Sequence, residues 1–179
     1  MPILSRSYFL WADIFRKKAK VSDAVVAALK DNILFSTLSE RELQYVANMT
    51  YERVYEKDEV VFREGKSGFG LYIIVRGQIG IFVHGKEGEV PVTRLEAGSF
   101  FGEMALLEED NIRSASAVAT ERAVLIGFFK ADLMEILSRQ PAMGAKILLQ
   151  LSRVLSRRLL DTIHRLPDQV NHVEPESHQ

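Results

Sequence analysis

The sequence predicts a mainly β domain flanked by helices: a sandwich or barrel-like roll, with helical segments before it and a long helix after it. Three observations carry this expectation. Apolar residues recur at helical spacing through the first 50 residues. From about residue 54, short runs rich in Val, Ile, Tyr and Phe alternate with glycine turns. After Lys130 helical spacing returns and continues to Pro167.

In chain order, Leu4, Tyr8, Trp11 and Phe15 form the first helical stripe, ending in the basic run Arg16, Lys17, Lys18 and Lys20. A second helix is expected in SDAVVAALKDN with Ser22 as its N-cap, and a third in LSERELQYVANM, where Ser39 and Glu42 have capping-box spacing. The strand signals are EVVFREG, LYIIVRG, QIGIFV, VPVTRL, SASAV and AVLIGFF. Ile79, Ile81 and Val83 alternate with Gly80 and Phe82, as in a strand with one face in the core, and His84 to Glu89 reads as a hairpin turn. ADLMEIL is a short helix, and Pro141 can open the long one, because proline is tolerated in a first helical turn. The expected organisation is a helical extension over 1–33, one domain with its last helix over 34–166, and a polar, disordered tail over 167–179.

Composition narrows the function. The chain has 179 residues, 47% hydrophobic and 26% charged, enough for a globular domain with its own core. A net charge of −1 provides no bulk attraction to nucleic acid or anionic lipid. The absence of cysteine excludes disulfides, thiolate catalysis and cysteine-ligated zinc. No apolar run approaches the roughly 20 residues of a membrane span, and the N-terminus carries charges where a signal peptide has an apolar core, so a cytoplasmic protein is expected.

The chemistry concentrates in FFGEMALLEEDNIRSASAVA, residues 100–119. Gly102-Glu103 opens a short apolar segment, and Arg113 follows ten residues after the glutamate. A cyclic nucleotide carries one negative charge on a ring-locked phosphate, a free ribose 2′-hydroxyl and a flat base. GEMALL can form one or two helical turns whose free N–H groups favour an anion, while Gly98 and Gly102 let the backbone come close. Arg113 offers a planar fork that bonds two phosphate oxygens at once, and Ser114 a hydroxyl for the phosphate or a base edge. Glu103 can accept the 2′-hydroxyl hydrogen; beside a phosphate it makes sense only with Arg113 close by.

Phe101, Gly102, Glu103, Ala105, Leu106, Arg113, Ser114 and Ala115 together resemble the phosphate-binding cassette of the cyclic-nucleotide-binding domain family, and Gly65, Tyr72 and Gly77 match its first strands. The step from Glu103 to Arg113 is similar to that of the bacterial activator type, and the resemblance covers about residues 34–165. It implies a double-stranded β-helix, a jelly-roll-like β-roll, with Glu103 on the ribose, Arg113 and Ser114 on the phosphate, and backbone contacts around Gly102 and Ala105. It also places Phe101, Met104, Ala115, Val92 and Leu95 at the ligand, with the last helix over the base and Thr162 where the activator has a base-contacting threonine. The next residue in the activator is serine; here it is Ile163.

The resemblance implies a sensor module that binds cAMP, in preference to cGMP, and signals through its last helix. No metal or other cofactor is implied. Leu148, Leu151, Leu155 and Thr162 follow a heptad-like seam interrupted by Arg158, and Ile147, Val154, Leu159, Ile163 and Leu166 widen it, which suits a homodimer or an effector protein. A module that keeps the fold and has lost its ligand is the alternative. Direct DNA binding is not expected, because the long helix is followed by a short polar tail rather than a helix-turn-helix. An enzyme is not expected either: Glu103 with Glu108 or Glu109 has no nucleophile–base pair or metal set beside it. Glu108 to Asp110 reads as a solvated turn, and His84, His164, His172 and His178 are scattered. The first helical stripe reads as packing on the roll or a second subunit, not as a membrane contact.

Overall fold

The computed structural model describes residues 23–107 and 110–170. The first helical stripe, Ser22, Glu108, Glu109 and the end of the tail lie outside the described residues. Helices α1 (Asp23–Asp31) and α2 (Glu40–Ala47) lead into eight strands: β1 (Tyr51–Tyr55), β2 (Val60–Phe62), β3 (Gly70–Arg76), β4 (Ile79–Gly85), β5 (Gly88–Leu95), β6 (Phe100–Phe101), β7 (Ser116–Ala119) and β8 (Ala123–Phe129). A single turn, α3 (Met104–Leu107), stands between β6 and β7, and α4 (Lys130–Arg139) and α5 (Pro141–Val170) close the chain.

The strands form two antiparallel four-stranded sheets, ordered β1-β8-β3-β6 and β2-β7-β4-β5. The first sheet is covered on both faces, which explains the unbroken apolar runs LYIIV and AVLIGFF. Alternate side chains go to opposite faces of a strand. Leu71, Ile73, Phe100, Ile126 and Phe128 therefore meet the helices, with Leu29, Phe35, Leu43, Leu133, Ile136, Met143, Ile147 and Leu151. Tyr55, Tyr72, Ile74, Phe101, Ala123 and Leu125 face the second sheet, against Val61, Ile79, Ala117 and Ala119. Phe35 sits edge-on to Phe128 with centroids 5.6 Å apart. Helix α1 falls within the expected extension, yet buries Val25 and Leu29 in the common core.

The local signals hold at most positions. Ser39 caps α2: its Oγ accepts from the Glu42 N–H, and Glu42 Oε2 accepts from the Ser39 N–H at 2.7 Å. The expected hairpin narrows to a two-residue turn between Gly85 and Gly88. Other expectations are corrected. Strands β1 and β6 are additional, and SASAV is extended only from Ser116. In β4, Ile79 is buried but Ile81, which lines an open cavity, and Val83 are half-buried, and a bulge between Ile81 and Phe82 shifts the pairing with β5. Strand β5 is solvent-exposed along nearly all its length. Helix α5 begins at Pro141 as expected but passes through Pro167 to Val170.

Candidate functional site

Strand β6 pairs with β3 for two residues, Tyr72 with Phe101 and Ile73 with Phe100, and the chain then reverses at Gly102, whose φ is +77°. Only glycine adopts that backbone conformation without strain. Glu103 follows and its carbonyl accepts from the Leu106 N–H at 2.9 Å, which shapes the single turn α3. The same reversal sets the Gly102 carbonyl toward Arg113, whose Nη1 donates to it at 2.9 Å.

Arg113 is 5% exposed. Its guanidinium carbon lies 4.0 Å from the centroid of the Phe62 ring and 5.8 Å from that of Tyr72. Phe62, Tyr72 and Phe101 pack as a triad with centroids 5.7–6.0 Å apart, so the cation rests on an aromatic floor. Burial pushes the Arg113 pKa down, and Tyr72, Glu103 and Tyr55 oppose the shift. Its Nε is buried without a hydrogen-bond partner among the described residues. An unsatisfied buried donor of this kind costs about 1–3 kcal/mol.

Glu103 is 6% exposed; Arg113 is near enough to feel its charge, but the ion pair it makes is with a residue the sequence did not single out for the ligand. Arg158 Nη1 of helix α5 donates to Glu103 Oε1 at 2.5 Å, and Nη2 donates to the Phe100 carbonyl at 3.1 Å. The Arg158 guanidinium also lies 4.7 Å from the Phe100 ring centroid. The residue that interrupted the apolar seam is thus the one that ties the last helix to the cassette. The interruption itself was the available signal: a cation on a packing seam wants a buried acceptor.

These groups line one cavity of about 420 Å³. Eleven of the residues singled out from the sequence line it: Val92, Leu95, Phe101, Gly102, Glu103, Met104, Ala105, Arg113, Ser114, Ala115 and Thr162. Phe62, Ile81, Thr93, Ile112, Arg158 and Asp161 join them. Ser114 Oγ donates to Met104 Sδ at 3.6 Å. Thr162 Oγ1 donates to the Arg158 carbonyl at 2.9 Å, which leaves the oxygen lone pairs open to the cavity. Gly98 is elsewhere: it holds φ +86° in the turn before β6, away from this cavity, and its carbonyl accepts from Asn32 Nδ2. Among the described residues no cluster of three or more His, Asp or Glu could hold a metal ion, and no helix is long and apolar enough to cross a membrane.

The backbone of Arg113 is held by the loop between β2 and β3. Its N–H donates to the Lys66 carbonyl and its carbonyl accepts from the Gly65 N–H, both at 2.9 Å, while the Gly68 N–H donates to the Asn111 carbonyl at 2.7 Å. An isolated bridge pairs Ser67 with Ile112.

With this geometry, comparison with known proteins is informative. The family model described as the cyclic nucleotide-binding domain matches residues 52–140. The cyclic AMP receptor protein of Thermus thermophilus is 33% identical over 132 residues, 73% of this chain and 59% of that protein. A cAMP-dependent protein kinase regulatory subunit of Blastocladiella emersonii is 35% identical over 66% of this chain and 30% of its own length. Among solved structures, a cyclic nucleotide-binding-like protein from Brucella abortus is 31% identical with a TM-score of 0.58, covering 65% of this chain and all of that one. The Thermus thermophilus catabolite activator protein has a TM-score of 0.69 at 30% identity, over 78% of this chain and 63% of its own. The chain thus spans less than two thirds of the curated relatives it matches.

Proposed function

Because the chain belongs to the cyclic nucleotide-binding domain family, a regulatory and non-catalytic one, we propose that it binds a cyclic nucleotide monophosphate, cAMP in preference to cGMP, and passes the signal through α5. The observation that carries this reading is the cavity in which a buried cation, Arg113, and a buried carboxylate, Glu103, stand on either side of Gly102 with α5 tied to the carboxylate. Its volume of about 420 Å³ suits a small ligand.

In this reading Arg113 and Ser114 take the phosphate, joined by backbone N–H groups around Gly102 and Ala105. The guanidinium of Arg113 supplies the positive charge and planar fork that an anionic oxygen in the cavity would pair with. One Glu103 oxygen stays with Arg158 while the carboxylate accepts the ribose 2′-hydroxyl. The base lies against Val92, Leu95 and Ile81, with Thr162 and Arg158 of α5 over it. Ser114 is compatible with either nucleotide; the preference for cAMP rests on its likeness to the bacterial activator, while the matched relatives include both cAMP- and cGMP-dependent proteins.

Transmission follows from the position of Arg158. A ligand that contacts Glu103 acts on the same carboxylate that holds α5, so filling the cavity shifts the helix between two arrangements. Beyond Arg158 the helix exposes Leu159, Leu160 and Ile163, at 48–61%. That face suits a second copy of the chain or an effector protein.

Thermal unfolding with cAMP, with cGMP and with neither tests the reading, for the native chain and Arg113→Ala. A ligand at 100 times its Kd adds about 2.7 kcal/mol, a rise in Tm of about 5–10 °C at this size. The expected result is a rise with cAMP that Arg113→Ala abolishes. A larger rise with cGMP would overturn the preference. No rise with either at millimolar concentration would overturn the binding and leave a fold-retaining interaction module.

A further inference from the structure

We infer that Gly68, which does not line the cavity, is a positioning residue for the phosphate site: its missing side chain makes the slot in which the Arg113 guanidinium is seated. The inference rests on the reading that Arg113 takes the phosphate.

The slot has three walls. The Phe62 ring lies under the guanidinium face. Gly102 stands at the Nη1 end, where a Cβ would come within 2.5 Å of that nitrogen. Gly68 stands at the Nε edge, and there the fit is tightest. A Cβ on Gly68 would lie 2.0 Å from Nε, 2.3 Å from Cζ and 2.6 Å from Nη2. Carbon and nitrogen cannot approach that closely, so any side chain at 68 occupies the space of the guanidinium itself.

Space, not backbone conformation, is what requires glycine here. Gly65, in the same loop, has φ +72° and nothing within 4 Å of a built Cβ, so it serves the turn. Gly68 has no such φ, and its backbone is one that alanine can adopt. The loop is in turn fixed to the arginine's own segment by the hydrogen bonds of Gly65, Lys66 and Gly68 to Asn111 and Arg113. The floor and the far wall, Phe62 and Gly102, belong to packed strand ends. With loop, floor and far wall held, the flexible arginine must yield, and its fork leaves the position from which it faces the cavity.

The test is a double-mutant cycle of Gly68→Ala and Arg113→Ala in the full chain, read as the Tm without nucleotide and as affinity for cAMP and for cGMP. Gly68→Ala alone is expected to weaken the bound nucleotide about 10- to 100-fold, the loss of one or two charge-assisted hydrogen bonds, and to lower the Tm. In the Arg113→Ala background the same change is expected to leave the Tm unaltered, because nothing remains to collide with the new methyl group. Native affinity in Gly68→Ala, or an equal fall in Tm with and without Arg113, would overturn the inference. If neither nucleotide binds the native chain, the binding reading fails, but the cycle in Tm still decides whether Gly68 seats the arginine.

Discussion

Removing the Arg158 side chain isolates the link between cassette and helix. Arg158→Gln keeps a polar, helix-compatible side chain but takes the cation from Glu103, whose side chain is 8% exposed. Breaking a fully buried pair by deleting one partner costs about 3–5 kcal/mol, because the other charge stays desolvated. Here the Arg158 side chain is 43% exposed, so water screens the pair on one side. We expect about 1–2 kcal/mol, reduced from the buried value for that screening. For a chain of this size that lowers the Tm by about 2–8 °C. The assay is thermal unfolding without nucleotide in a cycle with Glu103→Gln, which neutralises the acceptor at nearly constant shape. The Arg158 substitution should cost little once Glu103 is neutral. An equal loss with and without the Glu103 charge would refute the argument and assign the effect of Arg158 to its packing on Phe100.

Three further outcomes follow from the same structure. Phe128→Ala empties a site at 0% exposure that meets Phe35 edge-on, and should cost about 3–5 kcal/mol in denaturant unfolding. Asp132, whose Oδ2 accepts from the Phe129 N–H at 2.8 Å at the start of α4, is pushed up by burial to a pKa of about 6 from 3.8. Its folded form therefore holds the proton more tightly than the unfolded chain does. Its stabilising contribution is complete below pH 3.8 and is lost as pH rises toward 6, up to about 3 kcal/mol at about 1.4 kcal/mol per pKa unit. Urea unfolding across that range should show the decline, and Asp132→Asn should flatten it. If the exposed face of α5 pairs with a second copy, the native chain should sediment as a dimer, and Leu159→Lys with Leu160→Lys should leave a monomer with nucleotide affinity nearly intact.

Features that depend on near neighbours were legible in the sequence. The capping box of Ser39 and Glu42 is made by residues three apart, and Pro141 opens α5 through its own ring geometry. The spacing from Gly102-Glu103 to Arg113 identified the cassette, and of the residues singled out for the ligand all but Gly98 line one cavity. Each of these is set by the few bonds between the groups concerned.

Other features were decided only when distant segments met. Strand β6 is two residues long, too short for any alternation to register, and exists because β3 offers it a partner. The burial of Phe100 and Phe101 on opposite faces needs both cores to be present. Arg158 looked like a flaw in an apolar seam until α5 brought it to Glu103, 55 residues away in the chain. Gly68 looked like any loop glycine until Arg113 filled the place of its side chain. The sequence by itself determined which groups the site contains, because residue chemistry and short-range geometry travel with the chain. Tertiary structure decided which charge meets which and which glycine makes room, because those depend on the approach of segments that covalent geometry leaves free.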